Sequence, residues 1–130
     1  MGQIENLSTV VGRVIIALLF IMAGVSKITG YDGTAQFMDG AGVSSALLPL
    51  VIIVELGGGI AVAIGWLTRW WAWALAGFCI VSGVLFHYEP GNQMQMTMLM
   101  KNVALAGGLM FIAGRGAGAF SLDGRTASAD

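Results

Sequence analysis

The chain is short of charge, of cysteine and of histidine, and each shortage removes a class of function. Only 10% of its 130 residues are charged and 57% are hydrophobic, whereas a soluble domain carries roughly 25% charged residues. Water is therefore not the main solvent of this surface. Six Lys and Arg and a formal net charge of -1 leave no basic stripe to neutralise phosphates, which excludes nucleic acid as a partner. A single cysteine, Cys79, excludes an intrachain disulfide and a CxxC redox pair. The sequence also lacks a haem ligand pair, a flavin motif and cluster cysteines, so no electron-carrying cofactor is expected in the chain itself. The first apolar run has no positive residue before Arg13 and no clear small-x-small site before Lys27, which argues against a cleaved signal peptide. Asn6 stands where a Met1-Gly2 myristoylation signal requires Ser or Thr.

What the sequence does have is four long apolar stretches. A hydrocarbon core of roughly 30 Å needs about 20 helical residues per crossing, and the sequence predicts spans over about 10–28, 47–67, 70–86 and 96–113. The expected fold is an all-α integral membrane protein, a four-transmembrane-helix bundle forming one membrane domain over 1–130. Between the first two spans, 29–46 is polar and Gly-rich, and Thr34-Ala35-Gln36-Phe37-Met38 suggests one or two turns of surface helix. Pro49 falls in the first turn of the second span, where a missing N–H is tolerated. The short turn at Thr68-Arg69-Trp70 forces the third span antiparallel to the second, and Trp66, Trp70, Trp71 and Trp73 read as an interfacial aromatic belt. Residues 114–130 read as a soluble, frayed tail. Arg13, Arg69, Arg115 and Arg125 fall on one side, and Lys27 and Lys101 on the other. By the positive-inside rule both termini are cytoplasmic, and the long loop and His87 face outward.

The few charges inside the spans share helix faces with small residues. Arg13, Ala17, Phe20, Gly24 and Lys27 follow steps of four and three along one face. Glu55 shares a face with Gly58 and Gly59, and Lys101 with Ala104 and Gly108. Small residues allow close backbone approach, so these faces read as packed interfaces. The depths of Glu55 and Lys101 below the outer helix ends make a salt bridge between them geometrically feasible. An unpaired charge near the bilayer centre costs about 2.5–3.5 kcal/mol on insertion scales, so Glu55 needs a partner or a proton.

Lys27, His87, Asn92 and Asn102 lie near the same end and outline, with Glu55 and Lys101, an outward-opening polar pocket. Two readings stand side by side: a ligand or proton site, or a buried pair that only fixes helix register. Arg13 reads as a separate snorkelling anchor on the cytoplasmic side. Cys79 reads as a small packing residue. Met94, Met96, Met98 and Met100 suggest soft copper ligands. On a helix, however, they split into two pairs, so packing is the preferred reading and no metal site is assigned.

Several blocks together resemble the DoxX family of small bacterial inner-membrane proteins, across about residues 10–123. They are the Arg13 helix ending in Ala23-Gly24-Val25-Ser26-Lys27, Gly30-Tyr31-Asp32-Gly33-Thr34 with Phe37-Met38, and Glu55 with its glycines and Gly65-Trp66-Leu67-Thr68-Arg69. Phe86-His87, Lys101-Asn102-Val103-Ala104-Leu105-Ala106-Gly107-Gly108 and Ser121-Leu122-Asp123 complete the set. Ser44 and Ala117 stand where the family often has Pro. The resemblance implies a multi-pass inner-membrane protein of four helices, with relatives that include the small subunit of thiosulfate:quinone oxidoreductases and proteins linked to oxidative or thiol stress.

The leading expectation is a redox-accessory or quinone-linked subunit. Its pocket, lined by Lys27, Glu55, His87 and Lys101, would bind a quinone or another small polar-headed molecule, and a redox partner protein would supply the electrons. As an enzyme it would be at most the membrane subunit of an oxidoreductase. The alternative is a non-catalytic scaffold that binds a partner helix or a second copy of itself through its Gly-rich faces, as a homo-oligomer. Solute transport ranks third, since a single four-helix chain offers no obvious path open alternately to both sides.

Overall fold

The three- and four-residue spacing of Arg13, Ala17, Phe20 and Gly24 folds into α1, Gln3–Thr29, and those four are its buried residues. The computed structural model describes residues 2–129, with side chains through 126; Met1 and Asp130, the two ends of the sequence, lie outside the described residues. α1 begins seven residues before the expected start, because Gln3 to Thr9 continue the helix with Glu5 in the first turn, where an acid suits the helix dipole. After Gly30 comes α2, Tyr31–Gly40, the surface helix expected in the connector, here longer than two turns. The second span is α3, Ser45–Ile64. Its first turn is a 3₁₀ turn capped by Ser44, whose hydroxyl accepts from the Ala46 N–H. Ile53–Gly57 forms a π-helical segment in its middle.

Gly65, with φ +77°, ends α3 in the left-handed conformation that favours glycine. α4, Thr68–His87, and α5, Gln93–Arg115, follow as an extensively packed hairpin. The Asn92 side chain caps α5 by accepting from the Gln95 N–H. A last helix, α6, spans Leu122–Ala129. Four helices, α1, α3, α4 and α5, are long and apolar enough to cross a membrane, and the described residues contain no strand.

α1 packs along α3, α3 along α4, and α4 along α5, around Ala17, Phe20, Val62, Leu75 and Leu109. The α1–α3 seam is backbone-tight. A Cβ added at Gly24 would stand 2.8 Å from Leu56 Cβ, and one at Gly59 would stand 3.0 Å from the Ile21 backbone nitrogen. In lipid, where apolar burial gives helices little reason to associate, such close contact is the main attraction.

Two expected faces differ. α5 buries Ala106, Leu109 and Ala113, whereas Lys101 and Ala104 are exposed; α5 turns its packing face to α4, which rotates Lys101 to the side of that seam. Of the four tryptophans, Trp66, Trp70 and Trp73 are exposed as a belt should be. Trp71 instead packs on the core, its ring against Gly58, because it lies beside the buried row Thr68, Ala72, Leu75.

The expected frayed tail is docked, and Arg13 is not a snorkelling anchor. Arg13 is 4% exposed, and its guanidinium donates to the carbonyl oxygens of Ala117, of Phe120 at 3.0 Å and of Ala63 at 3.3 Å. A buried guanidinium in a membrane protein needs such acceptors, and the 116–121 segment supplies two of the three. Asp123 then caps α4 from a distance. Its Oδ1 accepts from the Leu67 N–H and its Oδ2 from the Thr68 N–H, both at 2.9 Å, and its own N–H donates to the Gly65 carbonyl at 2.8 Å. These bonds satisfy N–H groups that a helix start leaves open, and they hold Leu67, which sits at φ +47°, a costly position for a non-glycine residue.

Burial alone would raise the Asp123 carboxyl, but the hydrogen bonds from Thr68 and Leu67 and the nearby Arg13 charge outweigh it and hold the group below the usual carboxylate range. A depressed carboxyl stabilises the fold fully above its unfolded value, about 3.9, and that stability is lost as pH falls through the folded value. Asp123→Asn should therefore melt below the wild type by about 1 kcal/mol between pH 5 and 8. The gap should close below about pH 4, as read by thermal unfolding in detergent. At the α1–α3 seam, Gly59→Ala should cost about 1–3 kcal/mol through overpacking. Gly77→Ala, where a Cβ meets nothing within 4 Å, should be neutral or stabilising in the same assay.

Candidate functional site

The site is built where the α1–α3 seam meets the middle of α3. The π-helical segment carries Glu55 into the interior, where it is 3% exposed. A π segment adds one residue to a turn and so rotates the side chains that follow; such segments are rare and are found most often at functional positions. Gly24 brings α1 against Leu56, and Lys27, one turn further on, then meets Glu55. Lys27 Nζ lies 2.7 Å from Glu55 Oε1, a close ion pair without the directionality of a full hydrogen bond. This corrects the expected Glu55–Lys101 bridge. α1, not α5, packs against the π segment, so Lys27 takes the carboxylate and Lys101 keeps no ionic partner among the described residues.

A cavity of about 450 Å³ opens beside this pair, lined by Lys27, Glu55, His87, Lys101 and Asn102. Of the six residues expected to outline the pocket, these five line one space and Asn92 does not, while Arg13 lies at the other end of the bundle against the docked tail. The polar rim is organised by hydrogen bonds. His87 Nδ1 is 2.8 Å from Gln95 Oε1, which assigns the Nδ1–H tautomer when the amide oxygen accepts. Asn102 Nδ2 donates to the Cys79 carbonyl at 3.1 Å and to Ser82 Oγ at 3.4 Å, tying α5 to α4. Asn92 stays outside the cavity lining, occupied in capping α5.

The rest of the wall is apolar except for Thr34 and Ser82, and it includes residues that sequence reasoning did not place here. α2 roofs the cavity with Thr34, Phe37 and Met38, and Phe37 stacks on Phe86 of α4 with ring centroids 5.5 Å apart. Cys79, read as a packing residue, also lines it. The i, i+3, i+4 spacing of Thr34, Phe37 and Met38 was the available signal for the roof; nothing in the residue pattern announced the π segment. Among the methionines, Met98 lines the cavity, whereas Met94 and Met100 are exposed. Two further cavities, of about 380 and 490 Å³, lie at the opposite end around the docked tail and share no residue with this one.

Four apolar helices around a charged interior define a small polytopic membrane protein with an intramembrane polar cavity, and the chain belongs to the DoxX family, whose model matches residues 8–88. It is 43% identical to the inner membrane protein YqjF of Escherichia coli over 95% of both chains. It is 31% identical to the inner membrane protein YphA of the same organism, over 95% of this chain and 94% of the relative. It is a multi-pass inner-membrane protein. A shorter match, 35% identical over 53% of this chain and 52% of the relative, is to CatD of Bacillus subtilis, whose name includes the word oxidoreductase. No solved structure matches the chain.

The Lys27–Glu55 pair generates its own test. Removing one partner of a buried pair costs about 3–5 kcal/mol, because the other charge is left uncompensated. Lys27→Met should therefore destabilise strongly, and Glu55→Gln added to it should restore much of the loss. A double-mutant cycle of thermal or denaturant unfolding in detergent measures the coupling. Coupling below about 0.5 kcal/mol would mean that the pair is not an energetic unit.

Proposed function

We propose that the chain is a redox-accessory subunit of the inner membrane whose cavity binds a small molecule with an apolar body and a polar head, a quinone-like compound among the fitting classes. The observation that carries this reading is the convergence of five polar side chains from α1, α3, α4 and α5 on one apolar-walled space of about 450 Å³. Small-molecule sites are typically about 300–1,000 Å³, mostly apolar, with a few placed polar groups. A packing-only ion pair needs no such space beside it.

The chain's own residues bind and orient. Lys27 and the Nε2 of His87 offer groups for a carbonyl or hydroxyl head, and Glu55, with one oxygen on Lys27, can hold a proton at the other. The walls of α2 and α4, joined by the Phe37–Phe86 stack, keep water from the apolar body. A bound quinone would supply the capacity to take up or release electrons. The sequence has no electron-carrying motif, so a partner protein would deliver them. The partial relative whose name includes the word oxidoreductase agrees with this reading. With Arg13, Arg69, Arg115 and Arg125 at the opposite end, the cavity end faces away from the cytoplasm and both termini face into it.

A second reading, self-association or partner capture, is favoured by the open sides of Gly77 on α4 and Gly107 on α5, where a Cβ would meet nothing within 4 Å. Native mass spectrometry of gently extracted protein separates the two. The wild type should carry a small molecule or take up added decylubiquinone. Ser82→Leu, which fills the cavity without changing its charges, should lose it with unchanged oligomers. An empty cavity that also refuses added quinone, together with oligomers that change in Gly77→Leu, would move the conclusion to the scaffold.

A further inference from the structure

The charges around the cavity do not cancel. Lys27 and Glu55 neutralise each other as an ion pair, while Lys101 lines the same space with no acidic partner among the described residues. Lys101 stands about two turns inside α5, roughly 12 Å past its start at 1.5 Å per residue. At that depth its exposed side chain meets the cavity or lipid, and an uncompensated ammonium there is unfavourable.

The acids at this end of the bundle do not supply the missing charge. Asp39 accepts from the Ser45 N–H and Glu89 from the Asn92 side chain. Neither they nor Asp32 lines the cavity. His87 lines it with Nδ1 engaged on Gln95, and a histidine adds no negative charge in any state. The side chains that face the cavity therefore carry two ammonium groups against one carboxylate. Apart from Thr34, Ser82 and Asn102, the remaining surface is apolar, with Leu19, Phe20, Val51, Phe78 and Leu105 among its residues.

We propose that the ligand is an amphiphilic monoanion, one carboxylate- or phosphate-like head on a compact apolar body, with Lys101 as its counter-ion. This rests on the cavity being a ligand site and narrows the occupant to one charge type. Such an occupant brings the interior to neutrality and places its body against the apolar wall. Lys27, whose ammonium is ion-paired with Glu55, flanks the same space. Asn102, whose Nδ2 is committed to α4, positions the α5 turn that carries Lys101. The same chemistry is available from a free organic acid and from the headgroup of an anionic phospholipid entering from the bilayer.

The test uses full-length protein in phosphatidylcholine nanodiscs, with decanoate, decanol, decyltrimethylammonium and decylubiquinone titrated as probes and bound mass counted by native mass spectrometry. Decanoate should bind one per chain, at least ten-fold more tightly than decanol, and the cation should not bind. Lys101→Met should abolish that preference while still admitting decanol, and Lys101→Arg should keep it. Lys101 is exposed on the helix, so these variants retain the fold, which their melting curves check. Equal binding of decanol or decylubiquinone and decanoate, or an undiminished preference in Lys101→Met, overturns the anion assignment and leaves the site itself standing. Failure of every probe to bind overturns both. A separate arm adds phosphatidylglycerol: displacement of decanoate from the wild type identifies the lipid headgroup as a source, and its absence identifies a free acid.

Discussion

A carboxylate buried among membrane helices has to be compensated, and the middle of this protein is arranged around meeting that requirement at Glu55. The π-helical segment turns Glu55 inward, and Gly24 and Gly59 let α1 approach closely enough for Lys27 to reach it. A larger residue at either glycine would push α1 away and leave the carboxylate alone in a medium that solvates it poorly. The tight seam and the ion pair are therefore one device. The cavity lies beside it, with Glu55 of the π segment and Lys27 of α1 both in its lining.

The two ends of the bundle use charge differently. At the cavity end, an ion pair, an unpartnered lysine and a hydrogen-bonded histidine face a space. At the other end, Arg13 spends its donors on backbone carbonyls of Ala63, Ala117 and Phe120, and Asp123 spends its acceptors on the first N–H groups of α4. Counted by bonds to the backbone, Arg13 and Asp123 hold structure, whereas side chains that face a space without such bonds can meet a ligand. The same counting separates Asn102, which ties α5 to α4, from Lys101 beside it.

Much of this was legible in the sequence where periodicity carries the information. The face of α1 through Arg13, Ala17, Phe20 and Gly24 is the buried face, and Lys27, Glu55, His87, Lys101 and Asn102, though not Asn92, share a cavity. What escaped was register and long-range partnership. Depth along each helix pointed to Lys101 as the partner of Glu55 and passed over Lys27, because depth does not reveal which helices are neighbours. The block Ser121-Leu122-Asp123 was recognisable as a pattern, yet its reason, a cap for a helix that begins more than fifty residues earlier, exists only in three dimensions. Polar residues after the last span looked like a solvated tail because composition cannot show that a buried arginine awaits their carbonyls.

That arrangement also orders events during synthesis. Arg13 finds its acceptor in Ala117 across a separation of 104 residues, and the start of α4 finds its cap 55 residues downstream. All four spans leave the ribosome before either partner does. The helices can enter the bilayer one after another, but the hairpin turn at Leu67 lacks its cap, and the arginine in α1 lacks two of its three carbonyl acceptors, until the final segment is made. Its docking is the closing step of assembly, and a chain stopped short of it would be threaded through the membrane and still unlocked.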